Sequence, residues 1–216
     1  MKLLPLGEQA VLAYLPDEAS AVRFAAAVRA ANLPWLHDVV PAYASVGVYF
    51  DADTVRSAEV IGWLEALTVT DSSLSAGKVH VIPVCYELGP DLRAVGEQLG
   101  LPTDEVIHLH TATEYTVYAI GFVPGFPYMG YLPAELCGVP RLASPRVRVP
   151  PGSVGVTGRQ TGIYPLPRPG GWHLIGRTPL TLVDVADDYF PLRVGDRVRF
   201  ERIDEAEFGR REGELL

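Results

Sequence analysis

The groups with the greatest capacity for chemistry lie in a stretch without acids. Between Glu135 and Asp184 the chain carries Arg141, Arg146, Arg148, Arg159, Arg168 and Arg177 and no Asp or Glu, in a protein whose formal net charge is −8. Guanidinium groups bind carboxylate and phosphate through paired N–H donors, so this pattern points to a small anionic ligand. The alternative is that each arginine faces solvent and pairs with an acid remote in sequence. No nucleic acid partner is expected, because backbone binders keep a basic total or a strongly basic domain. Arg146 and Arg148 stand two apart in PRVRV. A strand there would project both from one face and turn Val147 and Val149 to the other. Two adjacent cations call for an acid or an anionic ligand between them. Glu114, just before the apolar run Tyr115 to Ile120, is the nearest upstream acid in a matching strand, either a positioned carboxylate or a barrel-rim ion pair.

Three rigid, aromatic loops could line a site. Gly121–Gly130 (GFVPGFPYMG) holds three glycines, two prolines and three aromatics. Gln160-Thr161-Gly162-Ile163-Tyr164-Pro165 and Gly170-Gly171-Trp172-His173-Leu174-Ile175-Gly176-Arg177-Thr178 repeat the theme. Glycines let a ligand approach backbone amides, and prolines stiffen the loop so that rings are presented at low entropic cost. These segments read as pocket or interface walls rich in amide, hydroxyl and arginine donors, or as glycine bends with aromatic plugs at barrel corners.

Other devices are missing. No Walker loop, GxGxxG, HExxH or EF-hand pattern occurs. Ser153 in PGSVG lacks the first glycine of a nucleophile elbow and reads as a turn residue. His108 and His110 in HLH point apart on a helix, so no metal is expected there; a last-turn histidine is favoured by the helix dipole without a ligand. Cys85 and Cys137 match no zinc or redox spacing and read as buried thiols.

The elements that must carry these groups fall into two architectures. Hydrophobic residues make up 48% and charged residues 20%, which excludes disorder as the main character. The opening MKLLPLGEQAVLAYLPDE predicts neither a spanning helix nor a signal peptide, so a cytoplasmic address with no membrane partner is expected. Of 40 Gly plus Pro residues, 22 lie between 121 and 180, while the first 80 residues show longer periodic runs. Lys2 to Leu6 and Ala10 to Leu15, parted by Gly7, predict a hairpin. Asp17 caps a helix carrying Phe24, Val28 and Ala31. HDVVPAY and SVGVYF read as strands, followed by a helix from about Thr54 to Leu67 with Val60 and Leu64 on one face. That is a small α+β sandwich over residues 1–70. Residues 71–77 form the expected linker, and 78–216 the second domain. There VHVIPVCY is a strand, Gly89-Pro90 sets Pro at the first helical position of a helix stopped by Gly100, and Thr103 caps another helix. Short β-like runs with turn signals then continue to DRVRFER, which predicts a closed or nearly closed β-barrel.

At these residues the sequence resembles a known family. HTATEYTVYAIGFVPGFPYMGYLP, VPPGSVGVTGRQTGIYPLPRPGGWHLIGRTPL and PLRVGDRVRF are similar to the bacterial family of the 5-oxoprolinase B-type subunit, also described as allophanate hydrolase subunit 1 or the KipI-like histidine-kinase inhibitors. IPVCYELGPDL and LGEQAVLAYL extend the similarity over essentially the whole chain. The resemblance implies an α+β N-terminal domain followed by a mainly β, cyclophilin-like barrel. It implies a component of an ATP-dependent system that opens 5-oxo-L-proline to L-glutamate together with A-type and C-type subunits, with the ATP site shared with a partner. Other branches would be a regulator that binds a sensor histidine kinase, or half of an allophanate hydrolase or urea carboxylase-type carboxyltransferase. Under the enzyme reading, Glu114 orients the substrate or accepts a proton and Arg146 holds the anion. Phe126, Tyr128, Arg148, Gln160, Thr161, Tyr164, Trp172 and Thr178 would form the substrate-binding set.

Overall fold

The structure, a computed structural model, describes residues 1–69 and 77–216. The expected linker at 71–77 lies outside the described residues except for Gly77. The chain divides into two compact units, Met1–Gly77 and Lys78–Leu216.

In the first unit, β1 (Lys2–Pro5) and β2 (Ala10–Tyr14) form the hairpin, with Gly7 at φ +65° in its turn. The unit continues through α1 (Glu18–Ala30), β3 (Leu36–Ala42), β4 (Ser45–Phe50) and α2 (Ser57–Ala66). The antiparallel sheet runs β1-β2-β4-β3. Alternation puts Val11, Ala13, Val46 and Val48 on one face, where Phe24 and Val28 of α1 and Val60 and Leu64 of α2 complete a core. The Asp17 carboxylate accepts the Ser20 N–H at 2.6 Å and caps α1. The second helix starts later than Thr54. Thr54 donates its hydroxyl to the Asp51 carbonyl in a turn, and the Glu59 carboxylate instead accepts the Arg56 N–H at 3.1 Å.

The second unit contains β5 (Val79–Val84), α3 (Leu92–Leu99), α4 (Thr103–Thr111), β6 (Glu114–Ile120), β7 (Pro127–Gly130), β8 (Arg146–Val149) and β9 (Ser153–Thr157). It ends with β10 (Gln160–Ile163), β11 (Arg168–Gly170), β12 (His173–Arg177), β13 (Arg197–Arg202) and α5 (Glu205–Arg211). Seven strands form one sheet in the order β12-β9-β10-β7-β6-β13-β5. Its two edges meet at Cys85 and Arg177, which exchange backbone hydrogen bonds of 2.9 and 3.0 Å, so the sheet is a nearly closed barrel. Two glycines permit that approach. A Cβ at Gly89 would lie 2.2 Å from the Ile175 carbonyl, and one at Gly176 would lie 2.5 Å from Val84. Inward residues such as Val84, Tyr115, Val117, Met129, Ile163 and Phe200 fill the core, and α3 and α4 add Leu92, Val95, Val106 and Ile107.

Four local expectations change. Pro90 does not open α3; Asp91 intervenes, because its N–H is held by the Leu174 carbonyl at 3.0 Å. Gly100 ends that helix as expected, at φ +71°. Thr103 is the first residue of α4 and not its cap, since the Glu105 and Val106 N–H groups bond the Pro102 carbonyl at 3.0 and 3.1 Å. Cys137 is only half-buried, at the end of a short turn where its thiol faces the Leu132 and Pro133 carbonyls, whereas Cys85 is buried. Finally, Val147 does not turn inward with Val149. It is 88% exposed while Val149 is buried, because β8 pairs with β11 in a separate two-stranded ribbon.

Candidate functional site

The aromatic loops converge. After β6 the chain makes two tight turns, in which Val123 N–H bonds the Gly121 carbonyl at 2.8 Å and Phe126 N–H bonds the Val123 carbonyl at 3.1 Å. Phe122 sits at φ +66°, a left-handed conformation that a bulky side chain adopts only when its surroundings enforce it. The fold thereby presents one ring outward, 58% exposed, and Phe126 inward. Phe126 is the hub of the cluster. Its ring lies 4.8 Å from Tyr128, 5.1 Å from Tyr164 and 5.5 Å from Trp172, all edge to face. This geometry suits the aromatic quadrupole. β7, β10 and β12 bring these rings together, and glycines make room: a Cβ at Gly162 would press within 3.0 Å of both Phe126 and Trp172.

The rings enclose a cavity of about 270 Å³ whose remaining wall is Arg141, Leu142, Pro145 and Gly170–Gly171. Burial pushes the Tyr128 hydroxyl above the usual phenol range, with the Arg141 charge acting against it. Burial does the same to Tyr164, opposed by the Trp172 backbone N–H and by the Arg141 and Arg146 charges. Both phenols therefore keep their protons and can donate to a ligand oxygen. The walls are apolar rings, and the polarity comes from two hydroxyls and one guanidinium.

Of the residues expected from sequence, Phe126, Tyr128, Tyr164 and Trp172 meet at this cavity. The others do not line it. Arg146 points its guanidinium at Asp91, with Nη2 2.6 Å from Oδ1, and a second N–H reaches the Trp172 carbonyl at 3.4 Å. The same Asp91 accepts the Leu174 N–H at 2.7 Å, so the pair ties β8 and β12 to the start of α3. Glu114 was one candidate partner for Arg146, an anionic ligand the other; Asp91 takes that place, and Glu114 is instead an ion-paired rim residue. Glu114 opens β6 opposite Arg199 and forms ion pairs of 3.1 Å with Arg197 and 4.0 Å with Arg199, because the antiparallel β6–β13 register sets them side by side. Arg148 is exposed on β8. Gln160 pairs in register with Gly130 and Thr157. Thr161 is buried and donates to the Gly155 carbonyl at 3.1 Å, while the buried Thr178 oxygen accepts the Leu180 N–H at 3.3 Å.

Sequence reasoning missed three functional or structural positions. Arg141 was one of six arginines in the acid-free interval with nothing to single it out. Asp91 fell inside the helix expected to open at Pro90 and was given no role. His110, expected as a dipole-stabilised charge at a helix end, is fully buried, and desolvation lowers its pKa to about 3. It is therefore neutral. Tyr86 lies 2.7 Å from its Nδ1 and Thr161 lies 3.1 Å from its Nε2. Because the Thr161 hydrogen goes to Gly155, Nε2 must carry the imidazole proton and Nδ1 must accept from Tyr86. The ring stacks on Phe200 with centroids 4.5 Å apart. Among the described residues no group of three or more His, Cys, Asp or Glu could hold a metal ion, and no helix is long and apolar enough to cross a membrane.

The chain belongs to the carboxyltransferase-domain family, subdomains C and D, which matches residues 1–192. Within it, the chain is similar to proteins named as the B-type subunit of 5-oxoprolinase. The Haemophilus influenzae protein is 39% identical over 213 residues, covering 93% of this chain and 97% of that one. The Escherichia coli O157:H7 protein is 54% identical over 122 residues, a match that takes in 55% of this chain and only 56% of the relative. Among solved structures, TTHA0988 superposes with a TM-score of 0.80 at 37% identity, over 91% of this chain and 40% of that one. Kluyveromyces lactis urea carboxylase shares the fold, with a TM-score of 0.74 at 16% identity over 100% of this chain and 24% of that one.

Proposed function

We propose that the chain is the B-type subunit of an ATP-dependent 5-oxoprolinase that converts 5-oxo-L-proline to L-glutamate together with A-type and C-type subunits. Identity of 39% across 93% of the chain with a relative of that name is the observation that carries this assignment. The aromatic pocket is its candidate 5-oxoproline subsite, and the two units act as an α+β domain and a cyclophilin-like barrel domain. A lactam amide is a poor electrophile, so ring opening at neutral pH requires activation by ATP. Neither the helix starts nor the aromatic pocket of the described residues favours a nucleotide. Each of the five α-helix starts carries an acid, at Asp17, Glu59, Asp91, Asp104 and Asp204, which opposes a phosphate at the positive end of the helix. The pocket, at about 270 Å³, falls below the roughly 300–1,000 Å³ of drug-sized sites. The ATP site is accordingly one shared with a partner subunit, and this chain's rings and hydroxyls hold and orient the small ring.

Co-expression with its genomic neighbours and an assay of ATP-dependent glutamate release from 5-oxoproline tests the assignment. Turnover is expected from the complete set and not from this chain alone. No turnover from the complete set, or full turnover from the isolated chain, would overturn it. Inhibition of a co-encoded histidine kinase without any contribution to turnover would move the protein to the regulatory branch.

A further inference from the structure

We infer that Arg141 anchors the carboxylate of a small cyclic acid whose ring lies among Phe126, Tyr128 and Trp172, the identity of that acid resting on the 5-oxoprolinase assignment above. Two arginines act on this pocket, and the structure treats them differently. Arg146 is neutralised by Asp91 at 2.6 Å. Arg141 lines the cavity and, among the described residues, has no carboxylate partner. The chain around it, residues 136–183, carries no acid, and no acid from elsewhere among the described residues is brought to it as Asp91 is brought to Arg146. An uncompensated guanidinium at an otherwise aromatic wall recognises an anion, and the apolar remainder of that anion must be flat and compact to sit among rings.

The position of Arg141 also sets the ligand's orientation. Arg141, Tyr128 and Tyr164 all line the one cavity, so the three polar groups border a common space. Both phenols are donors, which suits a ligand oxygen beside the carboxylate, such as a ring carbonyl. Pro145, Gly170 and Gly171 complete the wall with backbone that brings no competing charge. A compact monoanionic ring acid bearing a carbonyl satisfies every one of these groups. A polyanion does not, since Arg141 is the one cation that lines the cavity among the described residues.

The test uses three probes on the full chain, read by calorimetric titration: 5-oxo-L-proline, 2-pyrrolidinone, which keeps the lactam and lacks the carboxylate, and cyclopentanecarboxylate, which keeps the carboxylate and lacks the lactam. Loss of a charge-assisted contact corresponds to roughly 10- to 100-fold in affinity. 2-Pyrrolidinone should bind weaker than 5-oxo-L-proline by that factor, Arg141→Gln should erase the difference, and Arg141→Lys should restore part of it. In the assembled complex Arg141→Gln should raise KM for 5-oxoproline by the same factor. Equal binding of acid and lactam by the wild-type chain, or an unchanged KM in an active complex carrying Arg141→Gln, would overturn the role of Arg141 and leave the 5-oxoprolinase assignment standing. Arg141-dependent binding of the ring acids in a complex that never hydrolyses 5-oxoproline would overturn the assignment and leave the anchor standing.

Discussion

Acidification should destabilise the barrel through one residue, His110. In the folded protein its pKa is lowered to about 3, because the fully buried imidazole has only neutral partners in Tyr86 and Thr161. In the unfolded chain it titrates at about 6.5. Between these values the unfolded state binds a proton that the folded state refuses, so stability rises with pH across the window and is fully present above about pH 6.5. Going from pH 7 to pH 5, the linkage integral gives a loss of about 2 kcal/mol from this side chain alone. His110→Gln removes the titration while keeping an amide N–H for Thr161. The variant should be less stable at pH 7, by about 1–3 kcal/mol, because the Tyr86 hydroxyl loses its acceptor in the core. Its stability should nevertheless fall less on acidification, closing most of the gap to wild type by pH 5. Urea unfolding at several pH values measures this, with Trp172 as reporter in a chain carrying Trp35→Phe and Trp63→Phe, since those two tryptophans belong to the other unit. Parallel pH profiles for the two proteins would refute the reasoning, since they would mean that His110 is protonated, or solvated, in the folded state.

Three further outcomes follow from particular contacts. Asp91 is 13% exposed beside Arg146, and Arg146→Ala leaves its carboxylate with only the Leu174 N–H, which should cost about 2–3 kcal/mol and lower Tm by roughly 4–10 °C. Calorimetry on Arg146→Ala, Asp91→Asn and the double variant should show strong coupling, and additive effects would separate the two groups. Glu114→Gln disturbs two exposed ion pairs, so less than about 1 kcal/mol should be lost and turnover of the assembled complex should be unchanged; a large fall in turnover would return Glu114 to the chemistry. Gly89→Ala forces a Cβ to within 2.2 Å of the Ile175 backbone, so the strands that close the barrel must part, at a cost of more than about 3 kcal/mol by denaturant titration. Wild-type stability in that variant would show the closure to be dispensable.

Features that depend on near neighbours along the chain were legible in the order of residues. Asp17 caps α1 three residues away, Gly100 stops α3 at φ +71°, and Gly7 turns the first hairpin, since each requirement is met within one turn of backbone. The glycine-and-aromatic loops were equally legible, because rigidity and exposed ring area are properties of composition. Partnership was not. Arg146 finds its acid 55 positions away and Glu114 its arginine 83 positions away, and both choices are made by strand register and by the small β8–β11 ribbon. Coulomb attraction specifies sign and range but no address, so six equivalent arginines in an acid-free interval offered no means of telling the paired one from the one facing the pocket. The state of His110 was decided the same way: a residue in the last turn of a helix is charged or neutral according to what packs over it, and only the closing of the barrel places Tyr86, Thr161 and Phe200 around that ring.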